Sequence, residues 1–262
     1  MQKKIKKSLG QNFLIDENIL KLIANSVQIT HNDVLLEIGP GTGNLTKQLI
    51  KTNSKRIYVV EKDINLIEQL KKKFNDKIEI INEDILNFDE DKVSLNDMII
   101  FGNLPYNIST QILIKFIFSN YYKKNIKNMI FMFQKEVADR ILAKVNSREY
   151  GRISVITQLF FNVKKLKEIN PESFYPKPKI KSTLLIFSPK KKIDPFKNLK
   201  NLETVTKIFF NQRRKKIKTP YKHLFKKTDT NLIKNINLDL RPQNLSPDDY
   251  INITIAYEKL IY

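Results

Sequence analysis

The sequence predicts an α/β protein: a parallel sheet covered on both faces by helices, followed by a small all-α domain. Three observations carry this. Short apolar runs alternate with helix-period segments up to about residue 133, as β-α units require. A glycine run, Gly39-Pro40-Gly41-Thr42-Gly43, separates the first such strand from its helix. After Pro189 the β pattern stops, and Pro195, Pro220, Pro242 and Pro247 cut the remainder into short helical segments. The expected domains are therefore residues 1–190 and 191–262.

Residues 33–38 read as an apolar strand running straight into the glycine run, and residues 44–50 follow with Leu45, Leu49 and Ile50 at helical spacing. A second strand, 56–60, ends at Glu61. Asp63 is placed to cap a helix with Ile64, Ile67, Leu70 and Phe74 on its apolar face. A third strand, 78–81, ends near Asp84, and a fourth, 98–101, ends at Gly102-Asn103. Ser109 is placed to cap a helix carrying Ile112, Leu113, Phe116 and Ile117, and residues 129–133 supply a fifth strand. Residues 163–169 and 182–187 read as a closing strand pair. Ligands of such sheets bind beyond the carboxyl ends of the strands. Gly39, Glu61, Asp84 and Asn103 all fall at such ends, a shared placement stronger than any one motif.

Composition narrows the chemistry. The 262-residue chain has no cysteine and only His31 and His223. That excludes disulfides, thiolate metal sites and a cysteine nucleophile, and argues against a Ser-His-Asp triad or any histidine-rich metal site. No window has the length of a membrane span, and no signal-peptide apolar stretch follows the basic start; a cytoplasmic protein without a membrane partner is expected. The net charge of +20 favours a polyanionic partner. Yet only seven of the 47 basic residues are Arg, and Lys, Ile and Asn abound everywhere, as a genome biased towards A and T would give. Clustering, not the total, must decide.

The glycine run lets the backbone turn tightly and approach a ligand. Its G-x-G-x-G spacing departs from the dinucleotide G-x-G-x-x-G and tilts towards S-adenosylmethionine. Glu61 is placed to accept from both ribose hydroxyls, and Asp84 from the cofactor's adenine amino group. Taken singly, Asp84 reads better as a solvated strand-end carboxylate; the set points to a cofactor. Asn103-Leu104-Pro105-Tyr106 is the most informative run. An adenine amino nitrogen is a poor nucleophile because its lone pair is delocalised. Two acceptors, the Asn103 side-chain oxygen and the Leu104 carbonyl, would favour a pyramidal nitrogen with its lone pair exposed, using positioning and electrostatics alone. Pro105 fixes the turn, and Tyr106 offers a face for an extruded base.

These runs, with Leu9-Gly10-Gln11-Asn12-Phe13-Leu14, Asn107-Ile108-Ser109-Thr110, Phe174-Tyr175-Pro176-Lys177-Pro178-Lys179 and Gln212-Arg213-Arg214-Lys215, resemble the rRNA adenine N6,N6-dimethyltransferases of the kasugamycin-resistance type. They span nearly the whole chain in family order. The resemblance implies a Rossmann-like class I methyltransferase sheet and cofactor contacts from Asn12, Leu14, Gly39, Gly41, Glu61, Asp84 and Asn103. It implies that Phe174 packs against the target adenine opposite Tyr106. It also implies the substrate: two adjacent adenosines near the 3′ end of small-subunit rRNA, dimethylated on an assembly intermediate by a monomer. Lys181 departs from the family, which commonly has Asp there.

Between residues 190 and 227 stand 14 Lys or Arg against only Asp194 and Glu203, and Lys3, Lys4, Lys6 and Lys7 add a basic arm. Such clusters point to phosphate contacts, with Arg213 and Arg214 the best individual candidates because guanidinium forks onto phosphate. Three other readings share features with this one. A large-subunit rRNA methyltransferase usually carries Ser-Gln-Asn and Asn-Ile-Pro-Tyr where this chain has Gly10-Gln11-Asn12 and Leu104. An RNA-binding assembly factor would not need an intact Glu61 and loop. A DNA adenine methyltransferase would share the loop chemistry.

Overall fold

The computed structural model describes residues 12–93, 98–123, 125–190, 195–225 and 236–261. The chain runs β1 (Phe13–Leu14), α1 (Glu17–Ala24), β2 (Val34–Ile38), α2 (Thr46–Leu49), β3 (Arg56–Glu61), α3 (Ile64–Phe74), β4 (Glu79–Asn82), β5 (Met98–Asn103), α4 (Ser109–Lys123) and β6 (Ile126–Gln134). It continues through α5 (Lys135–Leu142), α6 (Arg152–Phe160), β7 (Phe161–Ile169), β8 (Phe174–Tyr175), β9 (Ser182–Pro189), α7 (Leu199–Asn211), α8 (Lys218–Phe225) and α9 (Pro247–Ile261).

Seven strands form one sheet in the order β4-β3-β2-β5-β6-β9-β7. β4, β3, β2, β5 and β6 run parallel, and β9 joins β6 antiparallel. The chain winds outward from β2 through β3 to β4, then returns to β5 on the other side of β2. That reversal opens a crevice at the carboxyl ends of β2 and β5. The central strands are continuously apolar because helices cover both faces: Leu35, Leu36, Ile99, Ile100, Phe101, Ile130 and Phe131 are fully buried. All five anticipated parallel strands and the closing pair are present. A second, two-stranded sheet pairs β1 with β8 antiparallel, Phe13 opposite Tyr175 and Leu14 opposite Phe174.

Helix starts follow local chemistry with one exception. Asp63 caps α3 as expected, its carboxylate accepting from the Asn65 N–H at 3.1 Å. Ser109, expected as a cap, is instead the first residue of α4, and its hydroxyl donates to the Tyr106 carbonyl at 3.2 Å. The hydroxyl therefore braces the preceding loop.

The chain divides into two compact units, one formed by the chain up to Ala138 with Val163–Pro189 and the other by Asp139–Asn162 with the chain from Lys190 onward. The expected single boundary at residue 190 is corrected for α6, which belongs with the helical unit. Its Val155, Ile156 and Leu159 are buried, and Arg152 pairs with Glu203 of α7 at 2.9 Å. Within that unit the buried Glu258 of α9 accepts from the Lys197 and Asn198 N–H groups and from the Asn201 amide at 2.8–3.0 Å. Phe209 and Tyr250 pack edge-on, 5.9 Å between centroids. The basic residues Lys3, Lys4, Lys6, Lys7, Lys191, Lys192, Lys226 and Lys227, and the run Leu9-Gly10-Gln11, lie outside the described residues. Among the described residues no helix is long and apolar enough to cross a membrane.

One buried carboxyl interrupts the apolar run of β2. Glu37 accepts from the Thr46 hydroxyl at 2.6 Å, tying β2 to α2 across the glycine turn. Burial, reinforced by the nearby Glu61 charge, raises its pKa from the ordinary 4.5 to about 7. The native state thus keeps a proton that the unfolded chain releases near 4.5. Stability is greatest below that pH and falls as pH rises, the loss complete above about 7 and worth about 3 kcal/mol. Glu37→Gln, which mimics the protonated form, should match wild type below pH 4.5 and exceed it by about 3 kcal/mol at pH 8. Urea unfolding across this range checks it; parallel pH profiles would refute the assignment.

Candidate active site

The crevice beyond β2 and β5 is a cleft lined by Asn12, Phe13, Gly39, Gly41, Glu61, Asp84, Asn103, Leu104, Pro105 and Tyr106, with Ile38, Val60, Ile85 and Ile108 as apolar walls. It opens to solvent and combines apolar walls with a few convergent polar groups, as small-molecule sites do. Nine residues anticipated from sequence meet here, drawn from strand ends far apart in the chain. Among the described residues no group of His, Asp and Glu could hold a metal ion.

The glycine turn is shaped for close approach. Gly41 has φ +57°, and the Phe13 ring lies 2.6 Å from where its Cβ would stand. A side chain there meets both backbone strain and an aromatic ring. At the end of β3, Glu61 Oε1 accepts from the Lys62 and Asp63 N–H groups, each at 2.9 Å. Glu61 Oε2 has only a 3.4 Å contact from the Gly41 N–H, which leaves it to accept from a ligand. Burial pushes the Glu61 carboxyl up, opposed by these N–H donors. Asp84 is a more exposed acceptor, held ionised by the Leu86 N–H and by Lys62 at 3.3 Å. A positive-φ glycine turn, a carboxylate beside it and apolar walls fit the carboxylate-bearing tail, ribose and adenine of S-adenosylmethionine.

The Asn103 loop is fixed from two directions. The Asn103 Nδ2 group donates to the Asn12 carbonyl at 2.8 Å. That contact commits Nδ2 and leaves Oδ1 with no protein donor among the described residues. Leu104 is buried, and its side chain comes within 2.5 Å of where a Cβ on Gly102 would stand. The missing side chain at 102 leaves room for Leu104 to pack inward in this rotamer. The Tyr106 hydroxyl shares a 2.7 Å hydrogen bond with buried Ser182 of β9, and burial raises its pKa.

Four of the anticipated site residues do not line the cleft. Leu14 is buried behind the cleft, where its carbonyl accepts from the Asn44 amide at 2.8 Å. Phe174 is 3% exposed and packs in the core cluster with Leu14 and Leu184. The reason is strand alternation: Leu14 and Phe174 are cross-strand partners and point inward together, while Phe13 and Tyr175 point the other way. Arg213 is committed to structure, its guanidinium donating to the Arg148 carbonyl and to the Gln243 amide oxygen. Arg214 is exposed and has no hydrogen-bond or ion-pair partner among the described residues. Sequence reasoning missed Phe13 and Lys62 as lining residues, although each adjoins a residue that was singled out. It had no signal for the Asn12–Asn103 bond, which spans 91 positions.

This sheet order, glycine turn and strand-end amide define a class I S-adenosylmethionine-dependent methyltransferase. The match to the ribosomal RNA adenine dimethylase family covers residues 2–259, and the chain belongs to that family. The ribosomal RNA small subunit methyltransferase A of Pelagibacter ubique is 49% identical over 261 residues, 98% of each chain. The crystal structure of a dimethyladenosine transferase from Plasmodium falciparum superposes with TM-score 0.80 at 26% identity, covering 94% of this chain and 98% of that one. The 23S rRNA methyltransferase ErmE shares the fold, with TM-score 0.68 at 20% identity over 96% and 100% of the two chains.

Gly41→Ala tests the cofactor turn. It should cost about 1–2 kcal/mol of stability and weaken S-adenosylmethionine binding by at least about tenfold. Calorimetric titration and urea unfolding of the same preparation give both quantities. Unchanged affinity would mean the ligand does not approach this turn.

Proposed function

We propose that this enzyme dimethylates the N6 amino groups of two adjacent adenosines near the 3′ end of small-subunit rRNA, acting as a cytoplasmic monomer on a ribosomal assembly intermediate. The observation that carries the reaction type is the Asn103 amide, whose Nδ2 is committed to the Asn12 carbonyl so that Oδ1 is presented as an acceptor. Family membership and the small-subunit name of the Pelagibacter relative support the substrate.

When bound, S-adenosylmethionine supplies an electrophilic methyl group on a sulfonium. Asn103 Oδ1 and the Leu104 carbonyl accept from the adenine amino group and hold its lone pair out of the ring plane, aimed into the cleft. This arrangement asks for no strong base. The groups are preorganised, because Asn12 fixes the amide and Gly102 leaves Leu104 room to pack inward, so little reorganisation is needed as the nitrogen becomes positive. Tyr106, held by Ser182, gives the extruded base one aromatic face. Glu61 and Asp84 bind the cofactor and stay clear of the reacting atoms. The Arg214 guanidinium and the exposed Lys200, Lys207, Lys215 and Lys218 are the candidate phosphate contacts of the helical unit.

Tritiated methyl transfer onto undermethylated small ribosomal subunits, followed by mapping of modified bases, tests this reading. Two dimethylated, adjacent adenosines near the 3′ end are expected, and raising the salt should weaken transfer steeply. Label appearing only in large-subunit rRNA or in duplex DNA would overturn it.

A further inference from the structure

The β1–β8 ribbon has two faces. Leu14 and Phe174 lie on the inner one and belong to the core. Phe13 and Tyr175, directly opposed across the ribbon, share the other. Their Cβ atoms are therefore about 4.5–5.5 Å apart, with both rings on one side. Phe13 marks where that side looks, because its ring covers Gly41 and lines the cleft with Asn103 and Tyr106. Tyr175 shares that side of the ribbon and stands outside the cleft lining.

Tyr175 is nevertheless left in water. It is 61% exposed, the most exposed of the large hydrophobic side chains, and its hydroxyl has no partner among the described residues. In the segment that follows, Lys177, Lys179 and Lys181 are exposed, with Ile180 exposed between the last two and Pro178 buried. Among the described residues Lys177 pairs with Glu172, and neither Lys179 nor Lys181 has an ion-pair partner. The departure at Lys181 thus adds a cation to this rim. An exposed aromatic ring beside two unpaired exposed cations, Lys179 and Lys181, is the combination that binds single-stranded nucleic acid, by base stacking and phosphate attraction together.

We infer that Tyr175 is a substrate-positioning residue whose ring stacks on the base next to the adenosine being methylated. The inference rests on the rRNA reading above and deepens it. A base on Tyr175 lies outside the cleft on the Phe13 side and cannot be the one presented to Asn103. For two adjacent adenosines it is the neighbour waiting its turn or already modified. Dimethylation of that neighbour leaves its π face intact, so the platform serves both rounds. Lys179 and Lys181 hold the backbone phosphates of the same stretch.

The test compares Tyr175→Phe, Tyr175→Leu and Tyr175→Ala in methyl transfer to undermethylated small subunits, with S-adenosylmethionine affinity measured separately by calorimetry. Tyr175→Ala should raise KM for subunits by about 5- to 150-fold, the range for one lost stacked base, with cofactor affinity unchanged. Tyr175→Phe should restore wild-type KM, and Tyr175→Leu should fall between. The same ranking should hold for binding to a protein-free RNA hairpin carrying the two adenosines. Equal KM for wild type and Tyr175→Ala overturns the stacking role while leaving the rRNA reading intact. An effect on subunits with none on the hairpin assigns Tyr175 to a ribosomal protein and overturns it as well. Absence of wild-type transfer overturns the rRNA reading, and the inference with it.

Discussion

Two side-chain amides fasten residues 12–14 over the carboxyl end of the sheet, and the site depends on them. Asn103 donates to the Asn12 carbonyl and Asn44 to the Leu14 carbonyl, each at 2.8 Å. One amide leaves the end of β5, the other the glycine turn after β2. Between them Phe13 is pressed onto Gly41, closing the cleft from above. The same bond that holds this cover orients the catalytic amide. In the proposed reading, covering the cofactor and presenting an acceptor to the substrate are thus one structural event, open to a chain without cysteine and with two histidines.

The sheet makes that event possible. Parallel strands buried on both faces leave polar groups room only at their ends. Glu61, Asp84 and Asn103 stand there because β3, β4 and β5 stop in register around β2. Glu37 is the exception: a carboxyl inside the apolar strand, satisfied by Thr46 and pinning the glycine turn from beneath. The turn is therefore held on three sides, by Thr46–Glu37 below, by Glu61 beside it and by Phe13 above.

Much of this was legible in the sequence because it depends on short-range pattern. Apolar runs of four to six residues, the glycine spacing and the residues directly after each strand placed β2 to β6 and gathered eight of the nine cleft residues, Asn12 coming from the family resemblance alone. What escaped depends on partners distant in the chain. A two-residue strand such as β8 has no period, so its register, which buries Phe174 with Leu14 and leaves Tyr175 on the face of Phe13, could not be read. Arg213 was chosen because guanidinium suits phosphate, yet the same fork suits a backbone carbonyl and an amide, which is where it lies. Ser109 had the sequence context of a cap but bonds backwards to Tyr106 because the loop turns over it. The α6 segment looked like a continuation of the sheet domain, since only its packing with α7 and α9 sets it apart.

The central claim is that the oriented Asn103 amide activates the amine by accepting from it. Single-turnover methyl transfer by Asn103→Ala to undermethylated small subunits, alongside calorimetric S-adenosylmethionine affinity, tests it most directly. The account predicts a rate at least about 100-fold lower, the scale for losing one preorganised hydrogen-bond partner, with cofactor affinity reduced far less. A near-wild-type rate in the variant would contradict it.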